Sequence, residues 1–397
     1  MLNWKEAELG DIADVQTGPF GSQLKNEQYI TGGTPVVTVE HIKDFRITDF
    51  DYPSITDEDK GRLSKYLMQT DDILFTRVGS VDLSAYVSER QNGWMFSSRM
   101  LRVRPNEEIN SRFLSYYFQQ KSFRDYILNI SVGATMPSIN TEILKGIPIS
   151  YPPLPEQTAI TSVLSSLDDK IDLLHRQNTT LEKMAETLFR QWFVEEAKEE
   201  WGTLPLSKVA NFLNGLACQK FLPKNEIDKL PVLKIKELSS GITENSDWAS
   251  TDIKTEYIVR NGDIIFAWSA SLMVKIWDGQ DCILNQHLFK VTSENYPKWF
   301  YYLWCKHHLA EFISIAASHA TTMGHIKRRD LDEAIVLIPS NEELKLMSQQ
   351  VEPIIEKVIT NNNQIHTLTA LRDTLLPKLM SGEVRVEHEN KVNNRNE

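Results

Sequence analysis

The sequence predicts an α+β (mixed α/β) protein: two duplicated globular domains joined by two long helices that pair as an antiparallel coiled coil, with pseudo-two-fold symmetry. Three observations carry this. The chain repeats itself, each repeat places β-like runs before an aromatic helical stretch, and each repeat ends in a heptad pattern. At 397 residues, 41% hydrophobic and 24% charged, the chain has the composition of an ordinary folded protein and room for two or three domains with cores of their own.

The duplication comes first. Leu9, Ala13 and Gly18 recur as Leu206, Ala210 and Gly215, at an offset of 197. Asp72-Ile73-Leu74-Phe75 recurs as Asp263-Ile264-Ile265-Phe266, at 191. From there the offset settles at 187: Phe113 with Phe300, Thr135-Met136 with Thr322-Met323, Ile139 with Ile326, Leu144 with Leu331, Pro152 with Pro339, Glu156 with Glu343. An offset that shrinks in steps and then stays constant means two copies of one unit, the first with roughly ten more residues in its loops.

Within each copy, Pro35 to Val39 and Pro231 to Ile235 read as strands, as do Ile73 to Thr76 and Ile264 to Trp268. Helical stretches follow at Phe113 to Leu128 and Trp299 to Ile315. Their rings at i, i+3, i+4 (Phe113, Tyr116, Tyr117; Phe300, Leu303, Trp304) form a stripe that packs on the sheet or, much less in keeping with the pattern, stacks on bases.

The heptads follow Pro152-Pro153-Leu154-Pro155, which stops any helix arriving from upstream. The seam is Ile160, Leu164, Leu167, Ile171, Leu174, Asn178, Leu181, Ala185, Leu188 and Trp192, and in the second copy Met347, Val351, Ile354, Val358, Asn361, Ile365, Leu368, Arg372, Leu375 and Leu379. Seventeen of these twenty are apolar, a coiled-coil seam rather than a surface helix. From Pro155 to Lys198 such a helix would span roughly 65 Å, too long to be buried in one small domain. Gly202 and Pro205 are read as its end, and Ser381-Gly382 as the end of the second. In the symmetric antiparallel register Ile160 faces Leu379, Trp192 faces Met347, and Asn178 faces Asn361 in one polar layer that fixes the register. The expected organisation is 1–153 first globular domain, 154–200 long helix, 201–340 second globular domain, 341–381 long helix, and 382–397 a disordered tail.

Composition excludes several classes. No run of about 18 apolar residues occurs and Met1 to Glu6 lacks a signal sequence, so a cytoplasmic protein is expected. Cys218, Cys282 and Cys305 are odd in number and have no CxxC spacing, which fits free thiols; a zinc site on Cys305 with His307 or His308 is disfavoured, and no metal is expected. The net charge of −11 is unevenly spread: residues 155–200 hold 5 basic and 10 acidic side chains, residues 201–340 hold 15 of each. Nucleic-acid binding depends on local basic surface, such as Lys327-Arg328-Arg329, so the total does not decide it.

The chain resembles the specificity subunits of type I restriction–modification systems over about residues 1–385. The resemblance rests on Leu9-Gly10-Asp11-Ile12, on Gly18-Pro19-Phe20-Gly21-Ser22, on Asp72 to Gly79, and above all on Ile149-Ser150-Tyr151-Pro152-Pro153-Leu154-Pro155-Glu156-Gln157 leading into a heptad helix, the whole then repeated. It implies two target-recognition domains, each reading half of a split asymmetric DNA site, with the helices as spacer. It also implies a non-catalytic chain whose partners are double-stranded DNA, two modification (methyltransferase) subunits and restriction (translocase/endonuclease) subunits. S-adenosylmethionine, ATP and Mg belong to those partners, with no cofactor in this chain. The second copy departs from the pattern where Ser340-Asn341-Glu342-Glu343 replaces Leu154-Pro155-Glu156-Gln157, and where Trp268-Ser269 stands in the place of Arg77-Val78.

Base identity is read by side chains reaching groove edges, while phosphate contacts only position the protein. The candidates lie in polar loops: Ser22, Gln23, Lys25, Arg77, Ser80, Arg99, Thr135, Ser138 and Asn140 in the first copy, and Gln219, Lys220, Ser269, Ser271, Gln286, His287, Thr322, His325 and Lys327 in the second. Each would serve equally well as a turn or cap group. Two other classes compete. An enzyme would need a catalytic constellation, and the sequence has no phosphate loop, no cofactor-binding glycine pattern and no HExxH pair. A coiled-coil scaffold, or a regulatory DNA-binding protein with no restriction role, is compatible with the heptads alone.

Overall fold

The structure is a computed structural model that describes residues 4–48, 51–133, 135–318 and 324–386. The chain forms two compact units, Met1–Asp169 with Ala370–Glu397, and Lys170–Thr369.

In the first unit a four-stranded antiparallel sheet runs in the order Ala13–Thr17, Met100–Pro105, Ile73–Thr76, Ser84–Tyr86. Its second sheet pairs Thr34–Val37 antiparallel with Ser54–Ile55 and parallel with Met95–Phe96. A third pair, Lys5–Glu8 with Pro148–Tyr151, joins the two ends of the domain. The second unit repeats this plan: Asn211–Asn214, Leu288–Thr292, Ile264–Ala267, Met273–Ile276 in the same order, Lys229–Leu233 parallel to Cys282–Leu284, and Gly202–Pro205 closing on Ile335–Ile338. The first copy adds a small hairpin, Ile42–Lys43 with Arg46–Ile47, in the stretch where it is longer.

The repeated Asp-Ile-(Leu/Ile)-Phe string now has a physical reason. Ile73–Thr76 is buried on both faces, Ile73 and Phe75 in the core beneath the helices and Leu74 in a second core with Val36 and Met95. Ile264–Ala267 does the same, with Ile264 and Phe266 on one side and Ile265 and Ala267 on the other. A strand between two cores has no solvent face, so alternation gives way to a continuous apolar run. The preceding aspartate closes the entering turn: Asp72 Oδ2 accepts from Gln69 N at 2.7 Å, and Asp263 Oδ2 from Arg260 N at 2.8 Å.

Each aromatic stretch is two helices, not one. Ser111–Gln119 and Lys121–Ile130 meet at Gln120, and Lys298–His307 and Leu309–Ser318 meet at His308. Phe113, Tyr116, Phe300, Leu303 and Trp304 are all buried and Tyr117 packs half-buried against the same core, so this stripe is core.

The first long helix runs Leu154–Arg190, shorter than the expected span to 200, and passes into a π-helical turn, Gln191–Glu195. Gly202 and Pro205 open a strand instead of ending that helix. The second runs Asn341–Met380. In the second unit they lie antiparallel: Lys198 bonds Glu343 at 2.6 Å, Asn178 meets Asn361, and Ile171 and Leu174 cluster with Ile365 and Leu368. In the first unit Ile160 and Leu164 share a core with Leu376, Leu379 and Met380.

The asparagine layer is present at the expected register, with a wider set of partners. Asn178 and Asn361 are buried, and Asn361 Nδ2 donates to Asn178 Oδ1 at 2.9 Å. Asn178 Nδ2 turns to Asn362 Oδ1 and not back to Asn361, so the pair is not reciprocal. Asn361→Leu alone should cost about 1–3 kcal/mol, because it strands Oδ1 of the buried Asn178. Asn178→Leu with Asn361→Leu should recover most of that loss. A double-mutant cycle in urea measures the coupling, and strictly additive losses would show that the two amides act independently.

Candidate nucleic-acid interface

In both units the candidate residues gather at one end of the four-stranded sheet, where loops leave the strands. In the first unit these loops follow Ala13–Thr17 and Ile73–Thr76, precede Met100–Pro105, and include the segment leading to the short helix Thr141–Lys145. Backbone bonds stitch them together. Arg77 N donates to Arg99 O at 2.9 Å, Ile139 N to Arg77 O at 3.0 Å, and Gly79 N to Pro137 O at 2.9 Å. The second unit repeats each bond: Trp268 N to His287 O at 3.4 Å, Ile326 N to Trp268 O at 3.1 Å, and Ala270 N to Gly324 O at 2.9 Å. Strand register agrees, since Thr76 pairs with Met100 and Ala267 with Leu288. Arg77 is therefore the structural equivalent of Trp268, Arg99 of His287, and Thr17 of Asn214.

One glycine in each unit makes this geometry possible. Gly18 N donates to Met100 O and Gly215 N to Leu288 O. A Cβ on Gly18 would lie 2.2 Å from Ser97 O, and one on Gly215 would lie 2.2 Å from Asn285 O. Only glycine lets the loop backbone pass this close.

Side chains at this end are partly pre-set. Arg77 Nη1 donates to Thr17 Oγ1 at 3.2 Å and to Ser98 O at 3.4 Å, and its guanidinium lies 6.0 Å from the ring of Phe20. Phe20 is 50% exposed at the tip of its turn. Gln23 Oε1 accepts from Phe20 N and from Tyr66 Oη at 2.7 Å, which leaves the amide nitrogen of Gln23 as its donor. In the second unit Trp268 Nε1 donates to Asn214 Oδ1 at 3.1 Å and its ring stacks on Phe289, with centroids 5.6 Å apart. Ser269 Oγ bonds His287 Nδ1 at 3.2 Å, and Gln286 Nε2 lies 3.4 Å from His287 Nε2.

The structure thus brings Gln23, Arg77, Arg99 and Ser138 into one loop cluster, and Ser269, Gln286, His287 and His325 into another. Ser22, Lys25, Ser80, Arg99, Thr135 and Asn140 are exposed, as are Gln219, Lys220, Ser271, His287, His325 and Lys327. Several have structural work as well. Asn140 caps the helix Thr141–Lys145 through Ile143 N at 2.8 Å, Lys25 N bonds Gln28 Oε1 at 2.9 Å, and Ser138 Oγ donates to Val132 O at 3.1 Å. Lys327 N donates to Asp330 Oδ2 at 2.6 Å at the start of its helix. Ser269 is buried rather than a solvated loop residue. Thr322, and the tail beyond 386, lie outside the described residues. Thr17, Phe20, Asn214 and Trp268 were not among the candidates. The visible signal for Phe20 is a large ring in a polar Gly-Pro-Phe-Gly-Ser turn.

Among the described residues no group of three or more His, Cys, Asp or Glu could hold a metal ion, and no helix is long and apolar enough to cross a membrane. Cys218, Cys282 and Cys305 are buried and unpaired, and burial pushes all three thiols up.

Residues 1–183 and 198–370 match the type I restriction modification DNA specificity domain. The type I restriction enzyme MjaIX specificity subunit of Methanocaldococcus jannaschii is 27% identical, over 97% of this chain and 94% of that protein. The HindI specificity subunit of Haemophilus influenzae is 20% identical, over 97% of this chain and all of that one, its coverage being 100%. Among solved structures, the S subunit of a type I restriction-modification system from M. genitalium aligns with a TM-score of 0.59 at 15% identity, over 95% of this chain and 96% of that chain, a likeness of fold. With two copies of the specificity domain spanning most of its length, this chain belongs to the family of type I restriction–modification DNA specificity proteins.

Proposed function

We propose that the chain is the sequence-reading component of a type I restriction–modification complex, with each globular domain reading one half of a split, asymmetric DNA site. The observation that carries this is the pair of equivalent loop clusters. One backbone frame is built twice, yet the side chains on it differ at matching points: Arg77 against Trp268, Arg99 against His287, Thr17 against Asn214. Equal frames with unlike side chains are what two unlike half-sites require, whereas a pure scaffold has no need of such frames.

The chain's own contribution is recognition. Methylation of adenine with S-adenosylmethionine as donor, and ATP- and Mg-dependent cleavage, fall to two modification subunits and to restriction subunits bound to it. The segment 155–200, with its 10 acidic and 5 basic side chains, repels DNA and is suited to a protein partner.

Co-expression with the modification subunit of its own system, in a host without adenine methylation, tests this by direct sequencing of methylated bases. A single bipartite motif with unread bases between its halves is the expected result. Methylation by the chain alone, or none that follows a motif in the complex, would overturn the proposal.

A further inference from the structure

We infer that Arg77 makes the first domain select a guanine in its half-site, and that Trp268 removes that choice from the second; this rests on the function proposed above. Arg77 is half-buried and already held on one side, with Nη1 bonded to Thr17 Oγ1 and Ser98 O. Among the described residues its Nε and Nη2 have no hydrogen-bond acceptor. Those two nitrogens are one edge of the planar fork and carry two parallel N–H groups. The major-groove edge of guanine offers two acceptors side by side, O6 and N7, the best match for such a fork. A guanidinium fixed through its third nitrogen loses less freedom on making that contact than a solvated arginine would.

The surroundings add donors and an apolar face. Phe20 stands beside the guanidinium, and Gln23, whose Oε1 is taken by Phe20 N and Tyr66 Oη, keeps its amide nitrogen as a further donor. The equivalent place in the second domain has the opposite chemistry. Trp268 spends its one donor on Asn214 Oδ1, its ring is stacked on Phe289, and His325 meets it edge-on at 6.3 Å. That position offers carbon to the groove, which suits a thymine methyl and gives guanine nothing to bond.

The test uses the full chain with its modification subunits and maps methylated motifs for the parent and for Arg77→Gln, Arg77→Lys and Trp268→Ala. The parent should show a G·C pair in one half-site that Arg77→Gln relaxes on the order of 10- to 100-fold, with adenine gaining, since glutamine pairs with adenine. Arg77→Lys keeps the charge and should weaken the same position less. Trp268→Ala should alter only the other half-site. The inference is overturned if Arg77→Gln leaves the motif unchanged, if the relaxed position is not G·C, or if both halves change together. It is also overturned if both arginine variants assemble yet methylate nothing, because the role would then be structural. A parent complex with no bipartite motif would instead refute the proposed function, so the two failures are distinguishable.

Discussion

Replacing Phe193 by alanine is expected to destabilise residues 170–369 by about 3–5 kcal/mol, the range for deleting a large buried aromatic ring. Phe193 is 4% exposed, and its ring lies within 5.7 Å, centroid to centroid, of Phe189, Trp201, Phe300 and Trp304. It sits in the π-helical turn Gln191–Glu195. With Ala185 and Phe189 just upstream of the turn, it packs the end of the first long helix into the domain core. Guanidinium unfolding followed by tryptophan fluorescence checks the figure. Seven of the nine tryptophans lie in residues 170–369, so the signal reports this unit above the other. Phe193→Leu should recover much of the loss. A shift below about 1 kcal/mol for the alanine variant would show that the turn does not anchor the helix.

The same turn marks where the sequence stopped being legible. Heptad spacing identified the seam, and the duplication identified its antiparallel direction and the Asn178–Asn361 layer, because one periodicity imposed by one contact is visible in a linear string. Near their ends the helices serve a second contact. Phe189 and Phe193 continue from the seam residue Ala185 as a buried stripe beside the seam, and Leu376 and Met380 stand at the matching places of the second copy. Two overlapping periodicities read as one noisy pattern. The breaks at Gln120 and His308 were hidden for a related reason, since both halves of each helix pair present apolar residues to one sheet.

The loop clusters were legible by position more than by role. Repeats and strand ends located Arg77, Arg99 and His287, but nothing local in the string shows that Thr17 holds Arg77 or that Asn214 occupies the Trp268 donor. Those contacts join residues more than fifty positions apart, and they exist only once the strands are in register. Polar residues such as Asn140 and Lys25 looked alike as DNA contacts or as caps; the structure gives the Asn140 side chain a capping bond, whereas at Lys25 it is the backbone N–H that is bonded, by Gln28 Oε1.

Asp168→Ala should destabilise the first unit's share of the helices by about 3 kcal/mol, the low end for breaking a buried ion pair. Arg372, polar at a seam position, had no partner in the heptad pattern. In the fold its Nη1 meets Asp168 Oδ1 at 3.0 Å, with side chains 17% and 21% exposed, and Asp168 Oδ2 accepts from Tyr116 Oη at 2.6 Å. Burial works against the Arg372 charge, but Asp168 and Asp373 outweigh it and hold its pKa above the ordinary value. Burial, then the Asp168 charge and hydrogen bond, raise that of the Tyr116 phenol. Removing the carboxylate leaves the Tyr116 phenol without its acceptor, leaves Arg372 with Asp373 alone, and takes an anion from Arg46, so the loss comes from stranded polar groups more than from the pair's own attraction. Arg372→Leu with Asp168→Leu and Tyr116→Phe removes these three polar groups together, leaves only the more exposed Arg46 and Asp373 beside them, and should be neutral or stabilising by about 1–4 kcal/mol. Hydrogen exchange of peptides covering 154–169 and 370–380 reads both variants directly. Faster exchange in the single variant, returned to the parent rate or slower in the triple one, is the expected result. Equal acceleration in both would mean that the ion pair supplies net attraction that apolar packing does not replace.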